Sequence, residues 1–404
     1  MMVTCRFCGG ALTIPFCDLG AMPLANSYLP HDHAGPEPRF PLNAMACEAC
    51  HLVQLTHSAD AAGIFSDYAY FSSFSSTWLR HAAAFAEQAI QRFGLGSDSF
   101  VTEIASNDGY LLRNFRAVGI ACLGVEPAAN VAKTAIAAGI PTEIAFFGRA
   151  TASQLLARHG HADLVIANNV LAHVPDVNDF VAGLAMLAGP RGVISIEVPH
   201  LLKLIQYLHF DTIYHEHYFY WSLHTMERVL AVHGLHVARV DCLSTHGGSL
   251  RVTACASPAG ENGERDAVRR AEREARLDRP EGYDGFSTRV GAALGALRHH
   301  LHNRGSRRIA AYGAAAKGNT LLNAAGITAA EIAMVADRNP AKQGRLLPGS
   351  HIPIVSPQEL LAFAPDEVMI LPWNIAAEIA DELAPLASHG TRLTTAIPEL
   401  RQVA

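Results

Sequence analysis

Residues 100–127 read FVTEIASNDGYLLRNFRAVGIACLGVEP, and this stretch decides the fold. The segment from Phe100 to Gly109, FVTEIASNDG, reads as a short apolar strand ending in a polar, glycine-containing turn. LLRNFRAVG follows with helical periodicity. IACLGVEP then reads as a second strand with Glu126 at its tip. A βαβ unit of this kind places ligands outside the carboxyl ends of its strands, and a carboxylate there accepts ribose hydroxyls. The loop is not G-x-G-x-x-G. Glu103, Ser106, Asn107, Asp108 and Gly109 stand there, with Ala105 where a glycine could be. Without closely packed glycines a pyrophosphate cannot approach the backbone, which argues against NAD. Two carboxylates and an amide suit a cationic ligand with an amino-acid end, and S-adenosylmethionine carries both a sulfonium and an ammonium.

Working outward, ADLVIANNVLAHVPD is a further apolar strand ending at Asn168 and Asn169, with His173 just beyond. RGVISIEVPH is another, ending around Glu197, Pro199 and His200. These strand ends come in the order expected of a methyltransferase sheet. The candidate cofactor-binding residues are Glu103, Ser106, Asn107, Asp108, Gly109, Glu126, Pro127 and Asn168.

Residues 210–220, FDTIYHEHYFY, crowd His215, Glu216 and His217 among tyrosines. Histidine titrates near neutrality and serves as a proton acceptor. Glu216 could orient a neighbouring imidazole, and Tyr214 could donate to a developing oxyanion. The two histidines stand at i and i+2, not i and i+4, so this is not a zinc-protease helix. The blander reading is a set of satisfied buried hydrogen bonds, and it applies with most force to His173 alone.

Toward the amino end, Cys5-x-x-Cys8 and Cys47-x-x-Cys50 are two pairs spaced to grip one tetrahedral zinc from tight turns. Four protein thiolates leave no position for water, so the metal is expected to be structural. No thioredoxin-like strand and helix flank either pair. Cys17, Cys122, Cys242 and Cys255 have no such partners and read as small buried apolar residues.

Toward the carboxyl end, the charged run around residues 264–280 reads as a solvated helix face. RRIAAYGAAAKGNTLLNAAG then reads as a strand, a small-residue turn at 312–318 and a helix. Gly313, Lys317, Gly318, Asn319 and Thr320 make an anion cradle at the helix start, with glycines wrongly spaced for a Walker loop. Strands ending at Asp337 and at Trp373 and Asn374 imply a second, smaller parallel sheet.

The 404 residues suit two or three domains at roughly 150 residues each. Half are hydrophobic and the formal charge is −6. Nucleic-acid binding, which draws on a basic face, is not favoured. There is no secretory leader pattern and no apolar run of the about 18 residues that span a bilayer. A cytoplasmic protein with reduced cysteines is the expectation, as monomer or homodimer.

The chain resembles the sugar C-methyltransferase family of branched-deoxysugar biosynthesis. The resemblance runs nearly its whole length, carried by the cysteine pairs and by DLGAMPLANSYLP, SDYAYFSSFSS, EIASNDGYLL, GVEPAANVA, YHEHYFYWS, HGGSLR, YGAAAKGNTLLN, DRNPAKQGRLLPGSHIPI and LPWN. It implies an α/β chain of three parts: a zinc-binding domain over residues 1–75, a Rossmann-like S-adenosylmethionine-binding methyltransferase domain over 76–256, and a smaller Rossmann-like domain over 257–404 that helps hold a sugar nucleotide. It further implies a 4-keto-6-deoxy sugar, commonly dTDP-linked, methylated at C3. The family's base falls on His217, with Tyr214, Glu216 and His173 beside it. The expected substrate-binding residues are Tyr68, Tyr70, Tyr312, Lys317, Asn319 and Arg338. Ala105 departs from a position where glycine is frequent. The rival expectations are an O- or N-methyltransferase and a non-catalytic zinc and Rossmann scaffold.

Overall fold

The computed structural model describes residues 3–57, 72–74, 76–258, 260 and 262–403. Tyr68 and Tyr70 lie outside the described residues. The amino-terminal part carries β1 (Leu12–Met22), β2 (Leu29–Pro30), β3 (Phe40–Cys47) and β4 (Val53–Leu55). The central part carries β5 (Phe100–Ile104), β6 (Ala121–Val125), β7 (Thr142–Glu143), β8 (Leu164–Asn168) and β9 (Val193–Pro199). It continues with β10 (Phe219–Tyr220), β11 (His236–Leu243) and β12 (Ser249–Cys255). The last part carries β13 (Ile309–Tyr312), β14 (Val335–Ala336), β15 (Arg345–Leu346), β16 (Ile354–Val355), β17 (Glu367–Ile370), β18 (Arg392–Thr395) and β19 (Arg401–Gln402).

The central sheet runs β11–β12–β9–β8–β5–β6–β7. From β9 to β7 the strands are parallel, and β12 enters antiparallel between β9 and β11. Strands covered on both faces read as continuous apolar runs, and Val165, Ile166 and Ala167 of β8 are sealed from solvent. The carboxyl-terminal sheet runs β16–β14–β13–β17–β18–β19, parallel apart from β19. In both sheets the winding reverses beside the first parallel strand, between β5 and β8 and between β13 and β17. That reversal opens a crevice at the carboxyl ends, where such folds bind ligands.

The cores do not stop where the motifs do. β10 pairs with β4, so a central segment completes the amino-terminal antiparallel sheet. β2 pairs with β15 of the last part. Phe16 stacks on Phe286 at 4.5 Å between centroids, within one apolar cluster that also takes in Phe210, Leu297 and Leu322. The cysteine knuckles pack instead with Leu184, Trp221 and Val252 of the central part. The site therefore sits among three parts that share cores.

Two sequence expectations are corrected. The charged run is not wholly solvated. Helix Gly263–Glu274 buries Arg265 and Glu272. The Glu272 carboxylate accepts from His200 Nε2 at 2.7 Å and from the Leu223 and His224 N–H groups, filling orphan donors at the start of helix Leu223–Val232. Cys242 is exposed, because the outermost strand β11 turns alternate side chains to solvent, and Cys255, the last residue of β12, is half-buried. Cys17 and Cys122 are buried as expected. Among the described residues no helix is long and apolar enough to cross a membrane.

Candidate active site

The four predicted thiols converge. All Sγ atoms of Cys5, Cys8, Cys47 and Cys50 lie within 4.8 Å of one another, with Cys5–Cys50 at 3.6 Å and Cys8–Cys47 at 3.5 Å. A tetrahedral zinc with Zn–S of about 2.3 Å sets an S–S edge of about 3.8 Å, so the set fits this ion. Gly9, in the left-handed region, closes the first knuckle through its N–H on the Cys5 carbonyl. Gln54 Nε2 donates to Cys5 Sγ at 3.0 Å, a bond suited to a thiolate. The Cys5 thiol is drawn down to about 5, chiefly by its hydrogen bond with Cys50.

At the carboxyl ends of β5 and β6, Glu103, Asp108 and Glu126 are all buried. The Glu126 carboxylate accepts the Asn107 N–H at 3.0 Å and the Ala128 N–H at 2.9 Å. Asp108 Oδ2 accepts the Ser73 N–H, and Asn107 Oδ1 the Ser72 N–H. Several polar atoms stay without a hydrogen bond in this buried space: Glu103 Oε2, Ser106 Oγ, Asp108 Oδ1 and Asn168 Oδ1. Burial raises Glu103 well above the usual carboxylate range, and Glu126 and Asp108 beside it push the same way. Burial also raises Glu126. Crowded, partly unsatisfied acids fit a ligand with a sulfonium and an ammonium. Gly109 is fixed twice over: its φ is +77°, and a Cβ would sit 2.8 Å from Ile140 Cγ1. Ala105 takes φ +57°, the conformation that makes glycine frequent at that place. Pro127 is half-buried directly after Glu126.

The second cluster forms where helix N-termini and strand ends of two sheets face each other. His217 Nδ1 lies 2.8 Å from the Thr212 carbonyl oxygen. That oxygen only accepts, so Nδ1 carries the proton and Nε2 is the bare, basic nitrogen. Tyr214 Oη donates to this Nε2 at 2.7 Å. His173 packs edge-on against His217 at 4.6 Å between centroids and gives its ring N–H to the Glu216 backbone carbonyl. Burial, then the neighbouring His173, holds His217 well below the ordinary imidazole value; burial takes His173 and His246 to about 4. None of the three is fully sealed from water. Deep groups with residual access line an internal crevice.

Glu216 does not orient an imidazole. Its carboxylate accepts from Asn26 Nδ2 at 2.6 Å, and burial raises it to about 7. Chain alternation turns it away from His217, and the Thr212 carbonyl does the orienting. His215 likewise points elsewhere and donates to the Phe40 carbonyl.

From the last part, helix Ala316–Ala325 starts inside the predicted turn, so Lys317 stands in its first turn. Lys317 Nζ donates to Asn374 Oδ1 at 2.7 Å, lies 4.8 Å over the Trp373 ring, and bridges the crevice between β13 and β17. Trp373 Nε1 donates to Asp211 Oδ2 at 2.7 Å, and its ring stacks on His209 at 4.1 Å. Asn319 is buried elsewhere, tying Nδ2 to the Ala25 carbonyl. Tyr312 and Arg338 both bond Glu382 and line a separate cleft of about 520 Å³. Of the expected substrate residues, Lys317 thus stands at the crevice, Tyr312 and Arg338 at a separate cleft, and Asn319 at neither.

Sequence reasoning missed Asn26, Asp211 and the network behind the crevice. There, buried Glu197 holds Arg251 at 2.7 Å and His81 at 3.1 Å. Burial would raise Glu197, but His81 and Arg251 bring it down to about 2. His246 was also missed, though its signal was present. In HGG, His246 takes φ +54°, and a Cβ on Gly247 would lie 2.6 Å from Trp373 and His209. A histidine held in the left-handed region beside a glycine packed on Trp373 marks a constrained site.

Residues 5–65 match a zinc-binding domain family, residues 78–240 a methyltransferase domain family, and residues 244–398 the C-methyltransferase C-terminal domain family. The C-methyltransferase NovU of Streptomyces niveus is 35% identical over 406 residues, covering 99% of this chain and 96% of that protein. Solved structures with partial likeness include magnesium protoporphyrin IX methyltransferase of Synechocystis PCC 6803 (16% identity, 44% of this chain, 79% of that one, TM-score 0.35). An S-adenosylmethionine-dependent methyltransferase of Mesorhizobium loti is another (16% identity, 44% of this chain, 99% of that one, TM-score 0.34). The zinc-fitting thiols, the acid-lined strand ends and the full-length relative together place the chain in the sugar C-methyltransferase family, as an S-adenosylmethionine-dependent enzyme with a zinc-binding amino-terminal domain.

Proposed function

We propose that the enzyme methylates C3 of a nucleoside-diphosphate 4-keto-6-deoxy sugar, probed best with the dTDP-linked form, in the cytoplasm. The observation that carries this reading is the state of His217: desolvated, neutral, with Nδ1–H fixed on the Thr212 carbonyl and Nε2 as acceptor. Such a nitrogen can take the proton next to a ketone, because the carbanion left behind delocalises onto oxygen as an enolate. S-adenosylmethionine, when bound at the acid-lined ends of β5 and β6, supplies an activated methyl group, which fits those unsatisfied carboxylates. Glu103, Ser106, Asn107, Asp108, Gly109, Glu126, Pro127 and Asn168 would hold it. Tyr214 bonds the very nitrogen that must accept the proton, so it governs access to the base.

The test is incubation with a dTDP-4-keto-6-deoxyhexose in D₂O, with and without methyl-labelled cofactor, read by NMR and mass spectrometry. The expected outcome is deuterium at C3 without cofactor and a new C3 methyl with it. His217→Ala should lower both rates by about 10²–10⁴ while S-adenosylmethionine affinity stays unchanged. Methylation on oxygen or nitrogen with no exchange at carbon would overturn the reading.

A further inference from the structure

The enolate needs a partner for its oxygen, and the two rings packed closest on the base, Tyr214 and His173, have already committed their protons. Tyr214 has one hydroxyl proton, and it goes to His217 Nε2 at 2.7 Å. His173, neutral, has one N–H, and it goes to the Glu216 backbone carbonyl. Across the crevice the situation is reversed. Lys317 Nζ has three N–H donors, and Asn374 Oδ1 at 2.7 Å is the one hydrogen-bond acceptor it meets among the described residues. Burial lowers the Lys317 ammonium below the usual lysine range, and Asp211, whose Oδ2 is bonded to Trp373 Nε1, works against that and favours the charged form. The Trp373 ring face, 4.8 Å from Nζ, steadies the ammonium without using a donor. Lys317 also stands in the first turn of helix Ala316–Ala325, where the backbone dipole adds positive potential. The Trp373 ring beneath Nζ is bonded to Asp211, and the next residue, Thr212, holds His217 Nδ1, so one short segment links cation and base; the Lys317 charge bears on His217 and His246.

We propose that Lys317 is a catalytic residue whose Nζ takes the ketone oxygen of the substrate as the enolate forms, an assignment that rests on the function proposed above. The electron balance is simple. The C3–H bond breaks, its proton goes to His217 Nε2, its pair forms C3=C4, and the C4=O π pair moves to the oxygen at Nζ. C3 then bonds the methyl carbon, the S–C pair stays on sulfur, and the C4 carbonyl re-forms. His217 returns its proton to water.

The rival assignment for the same cation is the substrate diphosphate, and one experiment separates the two. Exchange at C3 is measured in D₂O at saturating dTDP-keto-sugar without cofactor, beside dTDP affinity and S-adenosylmethionine affinity by calorimetry. Lys317→Met should slow exchange about 10²–10³-fold, the loss typical of one oxyanion donor, with dTDP affinity within about threefold. Lys317→Arg, which keeps the charge, should recover much of the rate. Unchanged cofactor affinity shows that Lys317→Met is folded, and Lys317→Gln carries the same test if it is not. Unaltered saturated exchange with dTDP affinity lowered tenfold or more assigns Lys317 to the diphosphate and overturns the proposal. So does a matching loss in His246→Ala with none in Lys317→Met. Wild-type protein that exchanges no C3 proton removes the underlying reading, and this proposal falls with it.

Discussion

The carboxyl ends of β5 and β6 carry Glu103, Asp108 and Glu126, buried, with no lysine or arginine bonded to them among the described residues. The carboxyl ends of β13, β14 and β17 lead into Lys317, Arg338 and Lys342, with Asp337 and Glu382 as partial counterions. Both sheets wind the same way and both place a crevice at the reversal. The backbone therefore does not choose the ligand. Side chains on the last strand residue and the following turn choose its sign: acids suit a cationic ligand, cations an anionic one.

The largest break in this contrast comes from the acidic end. Glu126→Gln keeps the shape and removes the charge. Losing one charge-assisted bond costs about 1.5–3 kcal/mol, or about 10- to 150-fold in S-adenosylmethionine affinity by calorimetry. Cofactor-free exchange at C3 should be unaffected. Loss of exchange as well would mean that the two ends do not divide the labour.

The two ends were not equally legible. Cys5, Cys8, Cys47 and Cys50 announce themselves because each pair is local, and only the meeting of pairs is tertiary. Glu103, Asp108 and Glu126 could be read because a βαβ unit fixes its own strand tips within residues 100–127. His217 and Lys317 were each visible as residues. Their facing each other was not, since it depends on β10 joining the amino-terminal sheet and on the cores shared across parts. Glu216 misled for the same reason. Neighbours in sequence suggested an imidazole partner, while Asn26, far away in the chain, supplies the bond. Buried helix residues such as Glu272 were hidden in a run whose composition is solvated on average.

The backbone of the two turns sharpens the contrast at a smaller scale. Gly313 has φ +93°, and a Cβ there would collide with the Pro372 ring. Gly313→Ala should cost about 1–3 kcal/mol, from strain and from displacing the loop that holds Trp373. Ala105 already accepts the left-handed conformation, which costs a non-glycine residue about 1 kcal/mol. Ala105→Gly should therefore raise the melting temperature, or at least not lower it. Equal destabilisation by both substitutions would show that the methyl of Ala105 packs usefully and that its turn is not strained.

A weaker effect is expected in the cleft beside Tyr312. Arg338 is largely exposed and paired with Glu382 at 2.6 Å. An exposed cation meeting a phosphate contributes about 1 kcal/mol, so Arg338→Ala should weaken dTDP binding about fivefold at low salt and less at high salt. No change at either salt would mean that the cleft beside Tyr312 takes no part in nucleotide binding.

The smallest effect tests the acidic end through its protons. Burial holds Glu103 and Glu126 above the ordinary carboxylate range, and for Glu103 the adjacent acids add to this. In the free enzyme, ionising them with rising pH works against stability from the ordinary carboxylate range up to their raised values, because the folded state holds those protons more tightly than the unfolded chain. A bound cation reverses the preference and favours the ionised forms. Binding must then release protons, and affinity must rise with pH across that window and level off above it. Release on the order of half a proton gives about threefold in affinity per pH unit. Calorimetry in two buffers of different ionisation enthalpy measures the release directly. Proton uptake, or affinity that falls with rising pH, would show that these carboxyls bind the ligand as neutral acids, and the electrostatic contrast between the two sheets would lose its acidic half.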